Sequence, residues 1–267
     1  MEKLIITTVQ TDLHWEDKLA NLKMLEEKIK SIPVKTHVVV LPEMFSTGFS
    51  MKPELFAETM EGESVAWMKK VAIEKGVILT GSLIIQNGED YFNRMVWVLP
   101  NGTMGHYDKR HCFTLGGEHE KYSPGEKRMI ASVGGWKINL QICYDLRFPV
   151  WARQQTQKDP EQPAEPEYDV LLYVANWPER RNHAWKTLLP ARAIENQAFV
   201  VGVNRIGNDG NGVYHSGDTM VVGPLGDIRY HMEHKEDIHT VVLEKQELNE
   251  IRTRFPFWKD GDTFLLV

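Results

Sequence analysis

The chain has 267 residues, of which 42% are hydrophobic and 25% are charged, as in ordinary globular proteins. Its net charge is −6 and it has no basic block, which argues against a nucleic-acid-binding protein. The longest apolar runs, such as 38–41 and 199–203, are too short to span a bilayer, and the N-terminus shows no signal-peptide pattern. Two cysteines do not make a disulfide framework. We therefore expect a cytoplasmic protein with free thiols and no membrane or nucleic-acid partner.

The first half of the chain alternates predicted strands and helices. Apolar residues at helical spacing predict a helix over 17–32, and a second helix is predicted over 64–75, with Ser64 as its N-cap and Gly76 just past its end. Asn87-Gly88 predicts a hairpin turn. The strands predicted here are 4–10, 37–41, 77–86, 91–99, 104–107, 128–132 and 136–143.

The second half follows the same pattern. Helices are predicted over 150–155, 183–196 and 245–254, and strands over 170–175, 199–205, 215–222, 227–232 and 238–243. The segment 157–167, rich in Pro, Glu and Gln, predicts a surface excursion, because the elements on either side have no separate cores. We expect one α/β domain over 1–267, with two mixed β-sheets between outer helices.

The junction at Cys143 is the strongest indication of chemistry in the sequence. The predicted strand ends at this cysteine, and the polar run Tyr144-Asp145-Leu146-Arg147 follows at once. A thiol there can act as a nucleophile, and the backbone N–H of Tyr144 can bind an oxyanion. The alternative is a buried cysteine that closes a core strand.

Two other strands end in residues that complement a thiol. Glu43 follows the strand 37–41, and Lys109 follows the strand 104–107. Glu43 can accept the thiol proton and later deliver it to a leaving amine. Lys109 can favour the thiolate and then bind the oxyanion of a tetrahedral intermediate.

These segments resemble the nitrilase superfamily of carbon–nitrogen hydrolases over essentially the whole chain. They are Leu41-Pro42-Glu43-Met44-Phe45, Tyr107-Asp108-Lys109-Arg110-His111 and Gln141-Ile142-Cys143-Tyr144-Asp145-Leu146-Arg147-Phe148-Pro149. The resemblance implies that Glu43, Lys109 and Cys143 are catalytic. It also implies that Glu118 orients the lysine or the substrate amide. It further implies a four-layer α-β-β-α sandwich and a dimer in which the sheets of two subunits adjoin. We expect a homodimer or a higher homo-oligomer, and no cofactor.

Other segments resemble the ω-amidase branch of this superfamily, whose members hydrolyse 2-oxoglutaramate or 2-oxosuccinamate. They are Ala175-Asn176-Trp177-Pro178, Arg192-Ala193-Ile194-Glu195-Asn196-Gln197, Val201-Gly202-Val203-Asn204-Arg205-Ile206-Gly207 and Gly210-Asn211-Gly212. The stretch 112–117 departs from the general family pattern. We expect the loop 110–125, including Phe113, to shape the substrate pocket.

An anionic substrate would need a cation in the pocket. Arg147 is the nearest candidate in sequence, with Arg180, Arg181 and Arg205 as alternatives, although Arg147 could instead pair with Asp145. Asn176, which ends the strand after the nucleophile, and Trp177 are expected to face the substrate, with structural roles in the strand end and core as the alternative.

The sequence also allows other sites and functions. His106, His111, Cys112 and His119 lie close in sequence, but their spacing does not match a zinc pattern, and we expect no metal site. A Cys–His dyad could use His106, His111, His119 or His183 as base. Besides an ω-amidase, the chain could be an N-carbamoyl amine hydrolase, a nitrilase, or a catalytically silent binding module.

Overall fold

The computed structural model describes residues 1–155, 165–262 and 264, which form an α/β fold. The predicted excursion 157–167 therefore lies mostly outside the described residues. The strands of the described part are β1 Lys3–Gln10, β2 Val38–Val40, β3 Ile78–Asn87, β4 Asp90–Val98, β5 Met104–Asp108, β6 Ile130–Val133, β7 Trp136–Ile142, β8 Val170–Ala175, β9 Phe199–Asn204, β10 Ile206–Asn208, β11 Tyr214–Val222, β12 Ile228–Glu233 and β13 Asp237–Glu244. The helices there are α1 Lys18–Lys30, α2 Pro53–Phe56, α3 Glu63–Lys75, α4 Pro149–Ala152, α5 Asn182–Asn196 and α6 Lys245–Arg254.

The strands form two mixed sheets. The first has the order β13-β1-β2-β3-β4-β5, with β1, β2 and β3 parallel and the remaining pairs antiparallel. The second has the order β10-β11-β9-β8-β7-β6, in which β7, β8 and β9 are parallel. The seventh strand of this sheet, β12, also pairs with β11.

The sheets pack face to face, because their side chains alternate between two buried surfaces. Ile6, Val38 and Val40 of the first sheet share one apolar core with the second sheet. Val9 and Val39 point the other way and pack under α1 and α3. Helix α5 packs against β9 and β11 on the far side of the second sheet. The four-layer α-β-β-α sandwich is therefore confirmed.

Most predicted elements are present, and the differences have local causes. Ser64 is not the N-cap: α3 begins at Glu63 after Gly62, and the backbone N–H of Ser64 donates to Glu58 Oε2 at 3.0 Å. The side chain of Glu58 thus supplies the acceptor that was expected from Ser64. Helix α4 ends at Ala152, short of the predicted 150–155, and α5 continues through Pro190. The short elements α2 and β10 are not among the predicted elements. Among the described residues, we find no helix with the length and apolarity that a membrane crossing requires.

The topology brings several strand ends to one edge of the sandwich. The carboxyl ends of parallel strands lie at the same edge of a sheet. Glu43 follows β2 of the first sheet, and Cys143 and Asn176 follow β7 and β8 of the second. Lys109 follows β5, an antiparallel strand at the edge of the first sheet. Residues distant in sequence therefore meet between the two sheets.

Candidate active site

Cys143 occupies a constrained turn directly after β7. Its φ of 45° lies in the left-handed region, which is uncommon for a residue with a side chain. A 3-10 turn, Cys143–Arg147, begins at this residue. Cys143 is 8% exposed. The turn therefore holds the thiol in one orientation, nearly shielded from solvent.

Asp145 ties this turn to the segment that carries Lys109. Its Oδ2 accepts from the backbone N–H of Ile142 at 3.0 Å and from the Tyr107 hydroxyl at 2.8 Å. Its Oδ1 accepts from the backbone N–H of His111 at 3.0 Å and lies 2.8 Å from His111 Nδ1. Asp145 is fully buried. One carboxylate thus joins the turn that carries Cys143 to residues on both sides of Lys109.

Lys109 lies between two buried carboxylates. Its Nζ is 2.9 Å from Glu43 Oε1, and it is 3.0 Å and 2.8 Å from Oε1 and Oε2 of Glu118. Lys109 is 1% exposed, and both glutamates are fully buried. The ammonium group has three N–H bonds, so each one has a carboxylate oxygen as its partner.

Backbone and amide groups complete the coordination of the two carboxylates. Asn93 Nδ2 donates to Glu43 Oε1 at 2.8 Å and to Glu118 Oε1 at 3.1 Å. The backbone N–H of Asn176 donates to Glu43 Oε2 at 2.7 Å, and that of Phe113 donates to Glu118 Oε2 at 2.5 Å. Ionised carboxylates buried with this many donors are strongly fixed in place.

Burial and mutual charge set the protonation of this cluster. Burial and the charge of Glu43 raise the pKa of Cys143 well above its ordinary value, and Lys109 opposes this without prevailing. Burial also raises the pKa of Glu118, with Lys109 opposing. Burial acts to lower the pKa of Lys109, but the charges of Glu118 and Glu43 prevail and hold it well above its ordinary value. The resting site therefore contains a neutral thiol beside a cationic lysine.

A cavity of about 160 Å³ opens over Cys143 and Lys109. One part of its lining is apolar and includes Phe49, Met51 and Phe113. The remaining lining carries most of the polar groups: Tyr144, Arg147, Asn176, Arg180, Arg181, Asp209, Asn211 and His215. The cavity suits a small molecule with both an apolar stretch and a charged end.

Three arginines line the cavity, and each has a different environment. The guanidinium of Arg147 lies 5.0 Å from the Trp177 ring centroid, and that of Arg181 lies 4.8 Å from the Phe113 ring centroid. Both are half-buried, whereas Arg180 is exposed. Burial, together with the neighbouring charges of Arg180 and Arg147, lowers the pKa of Arg181. A concentration of positive charge of this kind attracts an anion.

Known proteins of one family are similar to this chain over almost its whole length. The family model described as carbon-nitrogen hydrolase matches residues 5–253. The chain belongs to the carbon–nitrogen hydrolase family. It is 40% identical over 268 residues to omega-amidase YafV of Yersinia enterocolitica, covering 100% of both chains. It is 33% identical to the 2-oxoglutaramate amidase of Bacillus subtilis, covering 97% of both.

A solved structure shares the whole fold of this carbon–nitrogen hydrolase. XC1258 from Xanthomonas campestris, a CN-hydrolase superfamily protein, is 41% identical to it and superimposes with a TM-score of 0.96 over 100% of both chains. Nit3 of Saccharomyces cerevisiae, at 24% identity and a TM-score of 0.81, shares the fold.

The structure gathers most of the residues selected from the sequence of this carbon–nitrogen hydrolase, with two differences. Arg205 lies outside the cavity lining, where its Nη2 donates to Asp12 Oδ1 at 2.8 Å. Arg147 does not pair with Asp145, whose oxygens are occupied as described above. Phe113, Tyr144, Asn176 and Trp177 all line the cavity. The side-chain Nδ2 of Asn176 donates to the backbone oxygen of Glu43 at 2.5 Å, so this amide holds Glu43.

The alternative chemistries find little support in the geometry. His111 lies against Asp145 and stacks on Phe148 with ring centroids 3.8 Å apart, and His106, His119 and His183 are exposed. None of these four histidines belongs to the lining of the cavity around Cys143. Cys112 is half-buried, and burial raises its pKa to about 12.

A separate cluster of titratable residues lies outside this cavity. Among the described residues, Asp218, His231 and Glu233 form the one group with metal-like spacing. The ammonium of Lys186 lies 3.5 Å from Asp218 and 3.8 Å from Glu233. Lys186 therefore already forms ion pairs with both carboxylates.

Sequence reasoning did not select Asn93, Phe49, Met51 or His215, although all four belong to the cluster or to the cavity lining. The available signal for Asn93 was an uncharged polar residue inside a predicted strand. Such residues are too common to indicate a site.

Proposed function

We propose that this carbon–nitrogen hydrolase cleaves the terminal amide of small 2-oxo-acid amides, such as 2-oxoglutaramate and 2-oxosuccinamate, to the carboxylate and ammonia. One observation carries the proposal: a single cavity contains buried Cys143 and Lys109 together with half-buried Arg147 and Arg181. The relatives named omega-amidase and 2-oxoglutaramate amidase, similar over nearly the whole chain, support an amide of this class. We also propose that 1–267 act as one catalytic domain.

Acylation begins from the neutral thiol. Glu43 accepts the proton of Cys143 as the sulfur attacks the amide carbonyl, so that a C–S bond forms and the carbonyl π electrons move to oxygen. Lys109 and the backbone N–H of Tyr144 bind the resulting oxyanion. Glu43 then delivers its proton to the nitrogen, the C–N bond breaks, and ammonia leaves behind a thioester on Cys143.

Deacylation repeats these roles with water. Glu43 accepts a proton from water as the water oxygen attacks the thioester carbonyl, and the same donors bind the second oxyanion. The C–S bond breaks, the sulfur recovers the proton, and the new carboxylic acid ionises on release. Glu118, which takes two of the three N–H bonds of Lys109, orients the ammonium throughout.

Recognition of the 2-oxo acid falls to the arginines of the cavity. A guanidinium can bind a carboxylate through two parallel hydrogen bonds. Arg147 and Arg181 lie over aromatic rings, which limits their freedom and lowers the entropy lost on binding. They hold the anionic end of the substrate while the amide lies at the thiol.

The test compares arginine variants on charged and neutral amides. Arg147→Met and Arg181→Met should raise KM for 2-oxoglutaramate by roughly 10- to 100-fold, the equivalent of one lost charge-assisted hydrogen-bond pair. A neutral amide of similar length should be affected much less. Arg254→Met, on α6, is the matched control and should leave both substrates unaffected.

A substrate panel separates this proposal from its alternatives. Ammonia release from 2-oxo-acid amides, neutral amides, nitriles and N-carbamoyl amines is measured with the wild-type enzyme. If neutral amides or nitriles react as fast as 2-oxo-acid amides, the proposed substrate class is wrong. If no substrate reacts, the chain is a binding module.

A further inference from the structure

Asn93 connects the two carboxylates of the active site from inside strand β4. Its single Nδ2 atom donates to Glu43 at 2.8 Å and to Glu118 at 3.1 Å, and the residue is 2% exposed. Both partners are carboxylate oxygens, so the amide nitrogen rather than the amide oxygen must face them. The Oδ1 of Asn93 finds no partner among the described residues. The side chain therefore acts as a double donor.

The main chain of Asn93 holds the third member of the cluster. Its carbonyl oxygen accepts from the backbone N–H of Lys109 at 3.0 Å. One residue thus contacts Glu43, Glu118 and Lys109. An amide achieves this without adding a charge, whereas a lysine or an aspartate at this position would change the net charge of the cluster.

The hydrogen bonds of Lys109 show why a second donor is needed. All three contacts of its ammonium go to carboxylate oxygens in the resting site. To bind an oxyanion, Lys109 must release at least one of them. A buried carboxylate that loses a donor is destabilised and tends to move or take up a proton.

We propose that Asn93 is a positioning residue that holds Glu43 and Glu118 in place while Lys109 turns one N–H to the oxyanion. Glu43 thereby stays ionised and aligned to exchange protons with Cys143 and the leaving amine. The chemistry of this role rests on the proposed function, but one of its tests, the alkylation of Cys143, needs no substrate.

Several titratable groups surround the bridge and must be considered in any pH measurement. They are Glu43 after β2, Lys109 after β5, Glu118 with Cys112 and Tyr122 on the 110–125 loop, and Cys143 after β7. Among the described residues, only Glu43 and Glu118 accept hydrogen bonds from the side chain of Asn93. Loss of the donor therefore acts first on these two carboxylates.

Two variants separate positioning from simple support of the fold. Asn93→Leu removes both donors at similar volume, and Asn93→Asp keeps the shape but donates only while the introduced carboxyl is protonated. Asn196→Leu is the matched control, since Asn196 is also buried but bonds to Arg192 and Gln154, away from the cluster. For each protein, kcat and KM are measured against pH, and so is the rate at which iodoacetamide alkylates Cys143.

The two Asn93 variants should shift the pH profiles in opposite directions. Asn93→Leu should lower kcat by roughly 10- to 100-fold, with little change in KM, and move the acid limb to higher pH, because the carboxylates protonate more readily. Asn93→Asp should move the alkaline limb to lower pH, because the introduced carboxyl loses its proton as the pH rises. Asn196→Leu should lower the unfolding temperature and leave both limbs in place.

Two results would overturn the role of Asn93. One is that folded Asn93→Leu protein is alkylated with the same dependence on pH as the wild type. The other is that kcat falls by the same factor at every pH in both variants. The alkylation rate remains informative if the wild-type enzyme hydrolyses no amide. A failed proposed function is thereby distinguished from a failed role for Asn93.

Discussion

At the scale of single residues, the protonation of Cys143 sets how the reaction begins in the mechanism that we propose. Burial and the charge of Glu43 raise the pKa of the thiol well above its ordinary value. The thiolate is the form that reacts with oxidants and alkylating agents. A cysteine that becomes a thiolate only when its proton moves to Glu43 is protected between turnovers. The cost is that proton transfer and attack must be coupled.

Replacing the nucleophile gives the first prediction. Cys143→Ala should lower the rate of ammonia release by roughly 10³-fold or more, with an unchanged circular dichroism spectrum. Cys112→Ala is the control and should retain activity, because Cys112 lies outside the cavity lining. Full turnover by Cys143→Ala would show that another residue is the nucleophile.

Lys109 supports a second prediction, which concerns both rate and stability. Lys109→Ala should raise the activation barrier by about 3–4 kcal/mol through loss of an oxyanion donor. It should also lower the unfolding temperature, because Glu43 and Glu118 are left buried without a cation. Lys121→Ala, an exposed change on the same loop, should do neither. A Lys109→Ala protein with the wild-type kcat would contradict the oxyanion role.

At the scale of elements, the turn after β7 depends on its link to the segment after β5. Asp145 makes that link through Ile142, Tyr107 and His111. The Tyr107 hydroxyl in turn accepts from Trp151 Nε1 at 2.9 Å. Cys143 and Lys109 are therefore held relative to one another by a buried polar network rather than by the turn alone.

Removing the carboxylate of Asp145 provides the third prediction. Asp145→Ala should destabilise the fold by roughly 1–3 kcal/mol for each buried donor left without an acceptor, and it should lower kcat as Cys143 loses its fixed orientation. Urea unfolding and ammonia release measure the two effects. Asp90→Ala is the control, since Asp90 is exposed and its side chain accepts a hydrogen bond only from Ser123 among the described residues. Unchanged kcat in Asp145→Ala would show that the turn holds itself.

The sequence predicts the elements of this fold better than it predicts the contacts between them. Glu43, Lys109 and Cys143 could be selected because each lies just beyond the end of a strand, and parallel strands gather their carboxyl ends. Asn93 could not, because its direction depends on the register of β4 against β5 and on the packing of the two sheets. The sequence also does not show which of the candidate arginines line the cavity. Arg205 pairs with Asp12, a partner 193 positions away.

At the scale of the whole molecule, His215 makes stability depend on pH. Burial, together with the charge of Arg205, lowers its pKa from 6.5 to about 4. Between these values the unfolded chain binds a proton that the folded protein does not. His215 therefore does not lower the free energy of unfolding above about pH 6.5, but it lowers it by up to about 3 kcal/mol as the pH falls towards 4.

A histidine variant tests this linkage. His215→Gln should flatten the dependence of unfolding free energy on pH across this range, measured by chemical denaturation at several pH values. His119→Gln, an exposed change, should leave the slope as it is. If the two variants show the same slope, His215 is not the group responsible. The assembly of the whole molecule into a homodimer or a higher homo-oligomer stays a prediction.

The hydrogen bond from the backbone of Asn176 to Glu43 joins residues 133 positions apart, and this separation has a consequence for folding. Glu43 follows a strand of the first sheet, and Asn176 and Cys143 follow strands of the second, so this part of the site can form only once the two sheets have docked. We expect that step to be slow, because it closes long loops. Partly folded species should therefore lack the shielded thiol altogether. Recovery of that shielding during refolding would report the final docking step, and it would do so without any added fluorescent label.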